Sequence, residues 1–272
     1  VVFNPASGTH TISAGANNFN DFIVSGIDGE MVLGGDVNVN GDLMIESGTL
    51  KASNNDIYLL GDWFVGAGTF DGGDGTVYFD KDDGTDQNIS GGEFNDVTLR
   101  NSSPKILEDL IYLYGDLNIE SGAFLNGADH YIYVGDNWYN RAGTDGFTQT
   151  GSGTVIFNGS GTTNIGNYGT PSDTEPTVFN NLIFDGNGTK RISNSISVNG
   201  NLTNREGSNI YLGAEDNDTI QINGTASGTF TMNGGTFLIY GADNFPQGFN
   251  TYSLTGGTVD YYSDNPQNIY GG

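Results

Sequence analysis

The chain has 272 residues, 44 of them glycine, and its 33 acidic and 8 basic residues give a formal net charge of −25. Nucleic acid and anionic membrane surfaces are disfavoured as partners, because both bind through clusters of Lys and Arg. The absence of cysteine excludes disulfides and thiol chemistry. No apolar run reaches the roughly 18–20 residues that cross a bilayer, so we expect no membrane insertion.

Three short phrases recur along the chain in a constant order. An apolar phrase that ends in an aromatic residue is found at 1–3, 77–79, 155–157 and 259–261. Phe-Asn followed by Asp or Asn is found at 19–21, 94–96 and 179–181. Gly-Asp-Leu or Gly-Asn-Leu is found at 41–43, 115–117 and 200–202. The order predicts a single domain of repeat units that span 1–76, 77–154 and 155–258, with the start of a fourth at 259–272.

The units differ in length. Phe3, Phe79 and Phe157 are 76 and 78 positions apart, whereas Tyr261 follows Phe157 by 104 positions. The third unit therefore carries about 26 extra residues, close to one additional coil. Because the chain begins and ends within the repeat pattern, we expect the native protein to continue beyond both ends, which would cover the open sheet edges of the first and last coils.

A finer period lies inside each unit. Single apolar positions in successive short strands are separated by 6 or 7 residues, so like positions recur every 20 residues, as in Val37, Ile57 and Val77. Three strands per coil, joined by Gly, Asn and Asp turns, predict an all-β parallel β-solenoid of triangular section, with about 20 residues per coil and a right-handed course. Antiparallel hairpins would use the same turn residues, but they would mirror the sequence positions instead of repeating them.

Several phrases resemble a known class of repeat. Gly153–Gly159, Phe179–Leu182 and Gly61–Trp63 are similar to the β-strand repeats of large secreted surface and adhesin-like proteins of Bacteroidota, many of them substrates of type IX secretion. The resemblance covers nearly the whole chain, and it departs after Gly213, where an acidic segment replaces the expected Gly-x-Trp phrase. It implies an extracellular protein, secreted or attached to the cell surface, with a structural or adhesive role.

Catalysis is disfavoured, and no enzyme activity is expected. A glycosidase needs two carboxylates in a set geometry, one of them with a raised pKa. Glu46 and Glu120 occupy equivalent positions in two units, as structural turn residues do. The 8 basic residues are scattered, and His10 and His130 lie far apart in the sequence, so neither a lyase site nor a zinc site is indicated. A carbohydrate-binding or carbohydrate-active β-helix, similar to a polysaccharide lyase or hydrolase, is the alternative function.

No cofactor is required by the sequence, but calcium is a candidate ligand. Asp80, Asp82, Asp83 and Asp86 surround a glycine turn and could supply hard oxygen ligands, although their spacing differs from that of an EF-hand. A solvated acidic corner is the competing interpretation. The acidic residues of 215–218 form a second cluster.

Two further features suggest partner surfaces. The first is a set of tyrosines beside inward-facing strand positions, which could bind glycans by stacking: Tyr58, Tyr78, Tyr112, Tyr114, Tyr131, Tyr133, Tyr139, Tyr261 and Tyr262. The second is a long irregular segment from Gly166 to Thr177, where specificity is expected. The leading hypothesis is a rigid spacer and display surface within a surface protein or filament. Its partners would be further copies of the repeat, stacked end to end, and glycans or a host or neighbouring cell.

Overall fold

The computed structural model describes residues 1–13, 15, 18–166, 176–213, 220–241 and 244–262. It is an all-β solenoid of parallel strands, with about 11 turns of roughly 21 residues and 2% helix. The predicted fold class is therefore confirmed. The described part of the chain contains a single short 3-10 helix, Gly143–Gly146, and no helix in it is long and apolar enough to cross a membrane.

Each turn crosses three faces, named A, B and C in chain order. A turn places one short strand on each face, and this strand pairs in parallel with the strands of neighbouring turns. Face A contains Val2–Phe3, Trp63–Val65, Gln87–Ser90, Lys105–Leu107, Leu125–Asn126, Phe147–Thr148, Thr177–Phe179, Ile196–Val198 and Ile222–Asn223. Face B contains Gly8–Ile12, Thr69–Asp71, Gly92–Phe94, Ile111–Leu113, Tyr131–Val134, Thr154–Phe157, Asn181–Phe184 and Leu202–Asn204. Face C contains Asn18–Phe19, Val37–Val39, Ile57–Leu59, Thr76–Phe79, Asp96–Leu99, Leu117–Ile119, Trp138–Asn140, Thr162–Ile165, Thr189–Ile192 and Asn209–Leu212.

Four longer strands turn a corner without interruption. Phe22–Leu33 and Leu43–Lys51 run from face A to face B, and Thr229–Ile239 and Thr251–Tyr261 run from face B to face C. Strand alternation sends every second side chain into the lumen. On face C the register stacks Val37, Ile57 and Val77 directly above one another, as the 20-residue spacing predicts. All three are at most 2% exposed, so the apolar column is the core of the rod.

The repeat unit and the coil have different periods. Thr76–Phe79 on face C is the eleventh face segment after Val2–Phe3 on face A, and Thr154–Phe157 on face B is the eleventh after that. Eleven segments are three full turns and two further faces, so equivalent phrases of successive units lie on different faces. The extra length of the third unit supplies two more segments before Thr258 and longer corners between them.

Aromatic clusters fill the lumen where one unit meets the next. Trp63 packs against Phe70 at 4.7 Å and against Phe94 at 5.1 Å between ring centroids. Trp138 packs in the same way against Phe147 at 4.8 Å and Phe179 at 5.3 Å. At each junction the strand stack is interrupted on one face, since Thr69–Asp71 and Gly92–Phe94 share no register on face B and Phe147–Thr148 and Thr177–Phe179 share none on face A. Ring packing therefore replaces backbone pairing at these two places.

The two tryptophans differ in one contact, which gives a matched test. The indole N–H of Trp63 donates to the carbonyl oxygen of Gly91 at 3.1 Å, whereas the buried indole nitrogen of Trp138 has no hydrogen-bond partner in the described part of the chain. We expect Trp63→Phe to lower the free energy of unfolding by about 1 kcal/mol more than Trp138→Phe, because among the described residues only Trp63 has a hydrogen bond to lose. Denaturant titration of both variants measures the difference, and an equal or reversed loss would contradict this packing.

Candidate functional site

The most regular polar feature is a ladder of Asp and Asn side chains along the corners. The backbone N–H of Asp42 donates to Oδ1 of Asp21 at 3.2 Å, that of Asp62 to Oδ1 of Asp42 at 2.8 Å, and that of Asn88 to Oδ1 of Asp62 at 2.9 Å. Each oxygen thus accepts the amide of the residue one turn higher. The corner amides, which the strands leave unpaired, are satisfied in this way.

Ladders of this kind occur in every unit, and the first unit has a second one, in which the N–H groups of Asp56 and Thr76 donate to Oδ1 of Asp36 and Asp56 at 2.9 Å. In the second unit the N–H groups of Asp116, Asn137 and Asn164 donate to the side chains of Asp96, Asp116 and Asn137 at 2.6–2.9 Å. In the third unit those of Asn201 and Thr229 donate to Asn181 and Asn201 at 2.9 and 3.0 Å. The three ladders that contain the recurring phrases lie at different corners: between faces C and A, then B and C, then A and B. The recurring phrases are the first two rungs of each ladder.

The ladder also explains the glycine in the Gly-Asp-Leu phrase. A Cβ atom on Gly115 would collide with the carboxylate of Asp96, and one on Gly41 with that of Asp21. The N–H of Gly115 donates to the carbonyl oxygen of Asn95 at 2.9 Å, which fixes the height of the corner. Glycine is required here because the rung below occupies the space of a side chain. Sequence reasoning missed this role, although the Asp or Asn at 20- to 21-residue spacing was the available signal.

Asp96 carries an electrostatic cost. Its pKa is raised by burial and by the negative charges of Asp116, Asp56 and Asp74, although the hydrogen bond from the Asp116 N–H opposes this shift. The folded protein therefore binds the Asp96 proton more tightly than the unfolded chain does. The contribution of Asp96 to stability consequently falls as the pH rises from the unfolded value of 3.8 through its higher folded value.

We expect Asp96→Asn to gain stability relative to the unmodified protein as the pH rises from about 4 to 7, because the amide keeps the acceptor oxygen and loses the charge. Asp96→Ala, which loses the acceptor, should be less stable than Asp96→Asn by about 1 kcal/mol at pH 7. Denaturant midpoints across this pH range measure both effects.

Asp185 is the control with the opposite sign. Burial alone would raise its pKa, but the Gly186 N–H and the guanidinium of Arg205, 2.6 Å away, hold the pKa below 3.8. Asp185→Asn should therefore lose stability relative to the unmodified protein as the pH rises from below that lowered value to above 3.8. If both variants shifted in the same direction, the electrostatic assignment would be wrong.

The calcium candidate lies in the corner between Thr76–Phe79 and Gln87–Ser90. Asp83 accepts hydrogen bonds from the N–H and hydroxyl of Thr85 at 2.9 and 2.7 Å, and Asp82 accepts one from the hydroxyl of Ser102 at 3.2 Å. Asp80 lies 3.7 Å from the guanidinium of Arg100. The ammonium of Lys81 donates to the carbonyl oxygen, not the carboxylate, of Asp86. Three of the four carboxylates thus contact different groups of the protein.

A buried lysine binds backbone carbonyl groups of this corner and of the next turn. Lys105 is fully buried, and its ammonium donates to the carbonyl oxygens of Lys81, Arg100, Asn101 and Ser103. Burial lowers its pKa to about 8, although Asp80 and Asp82 oppose that shift. The chain's own cations thus lie where a metal would be needed to balance the acidic turn. Among the described residues, no group of three or more acidic or histidine side chains is arranged to hold a metal ion.

One direct test separates calcium binding at Asp80, Asp82, Asp83 and Asp86 from the competing interpretation, a solvated acidic corner. Because Lys105 and Arg100 already supply positive charge to this corner, we expect the melting temperature to be the same in a chelator and in millimolar calcium. Thermal unfolding followed by circular dichroism provides the measurement. A rise in calcium that Asp83→Asn abolishes would instead establish the site.

The acidic residues considered for catalysis do not come together. Glu120 accepts a hydrogen bond from Arg100 at 3.3 Å at the corner after Leu117–Ile119. Glu46 is exposed on the strand Leu43–Lys51, which belongs to another face. The change of face from one unit to the next separates these equivalent residues.

The tyrosines form separate stacks instead of one ladder. On face C, Tyr58 and Tyr78 stack at 4.6 Å, and the guanidinium of Arg100 lies 4.0 Å from the ring centroid of Tyr78. On face B, Tyr112 and Tyr133 stack at 4.3 Å. In both pairs, one face of each ring is therefore covered by the other tyrosine. The segment 167–175 and the acidic residues of 215–218 lie outside the described residues.

Comparison with protein-family models, with curated proteins and with solved structures finds no match to this chain. The resemblance to secreted repeats of Bacteroidota thus rests on the quoted phrases.

Proposed function

We propose that this chain is a non-catalytic structural segment of an extracellular surface protein or filament, in which it acts as a rigid spacer and display surface. The observation that supports the proposal is the commitment of the recurring polar residues to the corner ladders. One carboxylate oxygen of each of Asp21, Asp42 and Asp62 accepts a backbone N–H from the turn above. Residues that recur with every unit therefore maintain the rod.

The change of face between units supports a display role. Because equivalent phrases lie on faces A, C and B in turn, a surface motif carried by the repeat points in three directions along the rod. A partner could then approach from any side. A single flat binding face, such as a crystalline or planar surface would require, is not favoured by this arrangement.

Secretion, surface attachment and adhesion are parts of the same proposal. The phrase resemblance supports them. The net charge of −25 fits a long β-rod, because repulsion between rods opposes their aggregation. The further proposed partners are additional copies of the repeat, stacked end to end, and glycans or a neighbouring cell surface.

Rigidity is the property that a spacer needs, and it can be measured directly. The chain has no cysteine, so Asn38→Cys and Asp260→Cys, both exposed on face C, accept spin labels without competition. About ten coil-to-coil steps of roughly 4.8 Å predict a separation of about 48 Å. We expect electron–electron double resonance to give one narrow distance near this value.

A second pair of spin labels, closer together on the same face, serves as the control for the long distance. Asn38→Cys with Asn118→Cys spans four steps on the same face, or about 19 Å, at the edge of what the method resolves. A broad or bimodal distribution for the long pair, with a narrow one for the short pair, would overturn the role of rigid spacer.

A further inference from the structure

A groove opens at the junction of the first two units, where the stack on face B is interrupted. The corner from face A to face B contains three residues in the turn below, 66–68, and three in the turn above, 108–110. Between them Gly91 alone joins Gln87–Ser90 to Gly92–Phe94. Gly91 and Gly92 have φ angles of 72° and 136°, which glycine adopts most readily, so the chain can turn this sharply. The shortened corner is recessed, and it leaves a groove of about 280 Å³.

The two strands of face B that border the groove are not paired with each other. Thr69–Asp71 and Gly92–Phe94 are consecutive strands of face B that share no register, so their facing edges lie outside the ladder of amide and carbonyl bonds. Such edges can both donate and accept hydrogen bonds. Phe70, 3% exposed, forms an apolar base beneath them.

Two carboxylates and one aromatic ring complete the lining. Tyr112 borders the groove, and Tyr133 covers one side of its ring. Glu93 is in register with Tyr112, but its carboxylate accepts the hydroxyl of Tyr114 at 2.7 Å. Asp109 accepts the N–H of Leu110 at 2.7 Å, which leaves a second carboxylate oxygen for another donor. None of the described residues that line the groove is Lys or Arg.

These groups match the chemistry of a neutral sugar. A β-linked glucopyranose ring has a flat face of C–H groups that packs on an aromatic ring, and its equatorial hydroxyls both donate to carboxylates and exchange hydrogen bonds with backbone groups. An acidic saccharide would be repelled by Glu93 and Asp109. We propose that this groove binds a neutral β-linked glucan, with Tyr112 as the stacking surface and Glu93 and Asp109 as hydroxyl acceptors.

The corresponding corner of the next junction differs in length. Ile89 and Phe94 are 5 positions apart at the first junction, whereas the equivalent Ile165 and Phe179 are 14 positions apart. Insertions in solenoids concentrate where binding surfaces diversify, while the coil itself is kept constant. The junction corner is therefore a part of the repeat that varies in length, as a specificity-determining element would.

Isothermal titration of the full chain with cellohexaose tests the proposal. We expect one site per chain, a loss of affinity of at least about tenfold for Tyr112→Ala, and a smaller loss for Glu93→Gln. Tyr58→Ala is the matched control, because Tyr58 also stacks on a tyrosine but lies on face C. Its affinity should equal that of the unmodified protein.

Tyr112→Phe keeps the ring and should retain binding, which separates the loss of stacking from misfolding. If Tyr112→Ala fails to fold, the affinities of Glu93→Gln and Tyr112→Phe for cellohexaose are compared instead. The absence of cellohexaose binding, or an equal loss in Tyr58→Ala, would overturn the site. Neither result bears on the spacer role, which the spin-label distances test separately.

Discussion

The structure depends on one hydrogen bond repeated along its corners, in which a side-chain oxygen accepts the amide of the next turn. Strand pairing satisfies the backbone on the three faces, but each corner leaves amides that need another acceptor. Asp and Asn side chains are short enough to reach the residue directly above without a bridging water. Because each such bond contributes about 1 kcal/mol, the ladders of the three units together represent a large share of a typical domain stability.

The choice between Asp and Asn at the rungs has an electrostatic consequence. A carboxylate accepts an amide more strongly than a neutral oxygen does, but carboxylates stacked one turn apart repel one another. The first unit uses Asp at three successive rungs, and the third uses Asn at two. Part of the high negative charge is therefore structural. The raised pKa of Asp96 marks a place where repulsion and burial outweigh the gain from the hydrogen bond.

Much of the fold was predictable from sequence because the coil imposes a local spacing. Val37, Ile57 and Val77 recur at 20 residues, and their stacking follows from this number alone. The face that each unit starts on was not predictable in the same way. The starting face depends on the number of face segments in all preceding units. A single shortened corner such as Gly91 alters the surface of the rod without altering the apolar pattern of the sequence.

The polar sites were harder to predict for a related reason. The calcium candidate was chosen because four aspartates are close in sequence, but the cations that lie beside them, Arg100 and Lys105, come from the next turn about 20 residues later. The groove beside Tyr112 likewise combines residues of three turns. In a solenoid, each side chain lies beside residues of the turn above and the turn below. Residues that are close in sequence are therefore only part of the surroundings of a site.

The parallel coil itself is tested most directly by cysteine cross-linking at Asn118, which is outward-facing on face C. Tyr139 lies beside it one turn later in register, whereas Tyr112, on face B, would lie opposite Asn118 in an antiparallel hairpin. Adjacent positions of this kind are within the Cα separation of roughly 4.4–6.8 Å that a disulfide spans. Oxidation of the folded protein should close the disulfide in Asn118→Cys with Tyr139→Cys, and leave Tyr112→Cys with Asn118→Cys reduced. Closure of the second pair and not the first would contradict the parallel solenoid.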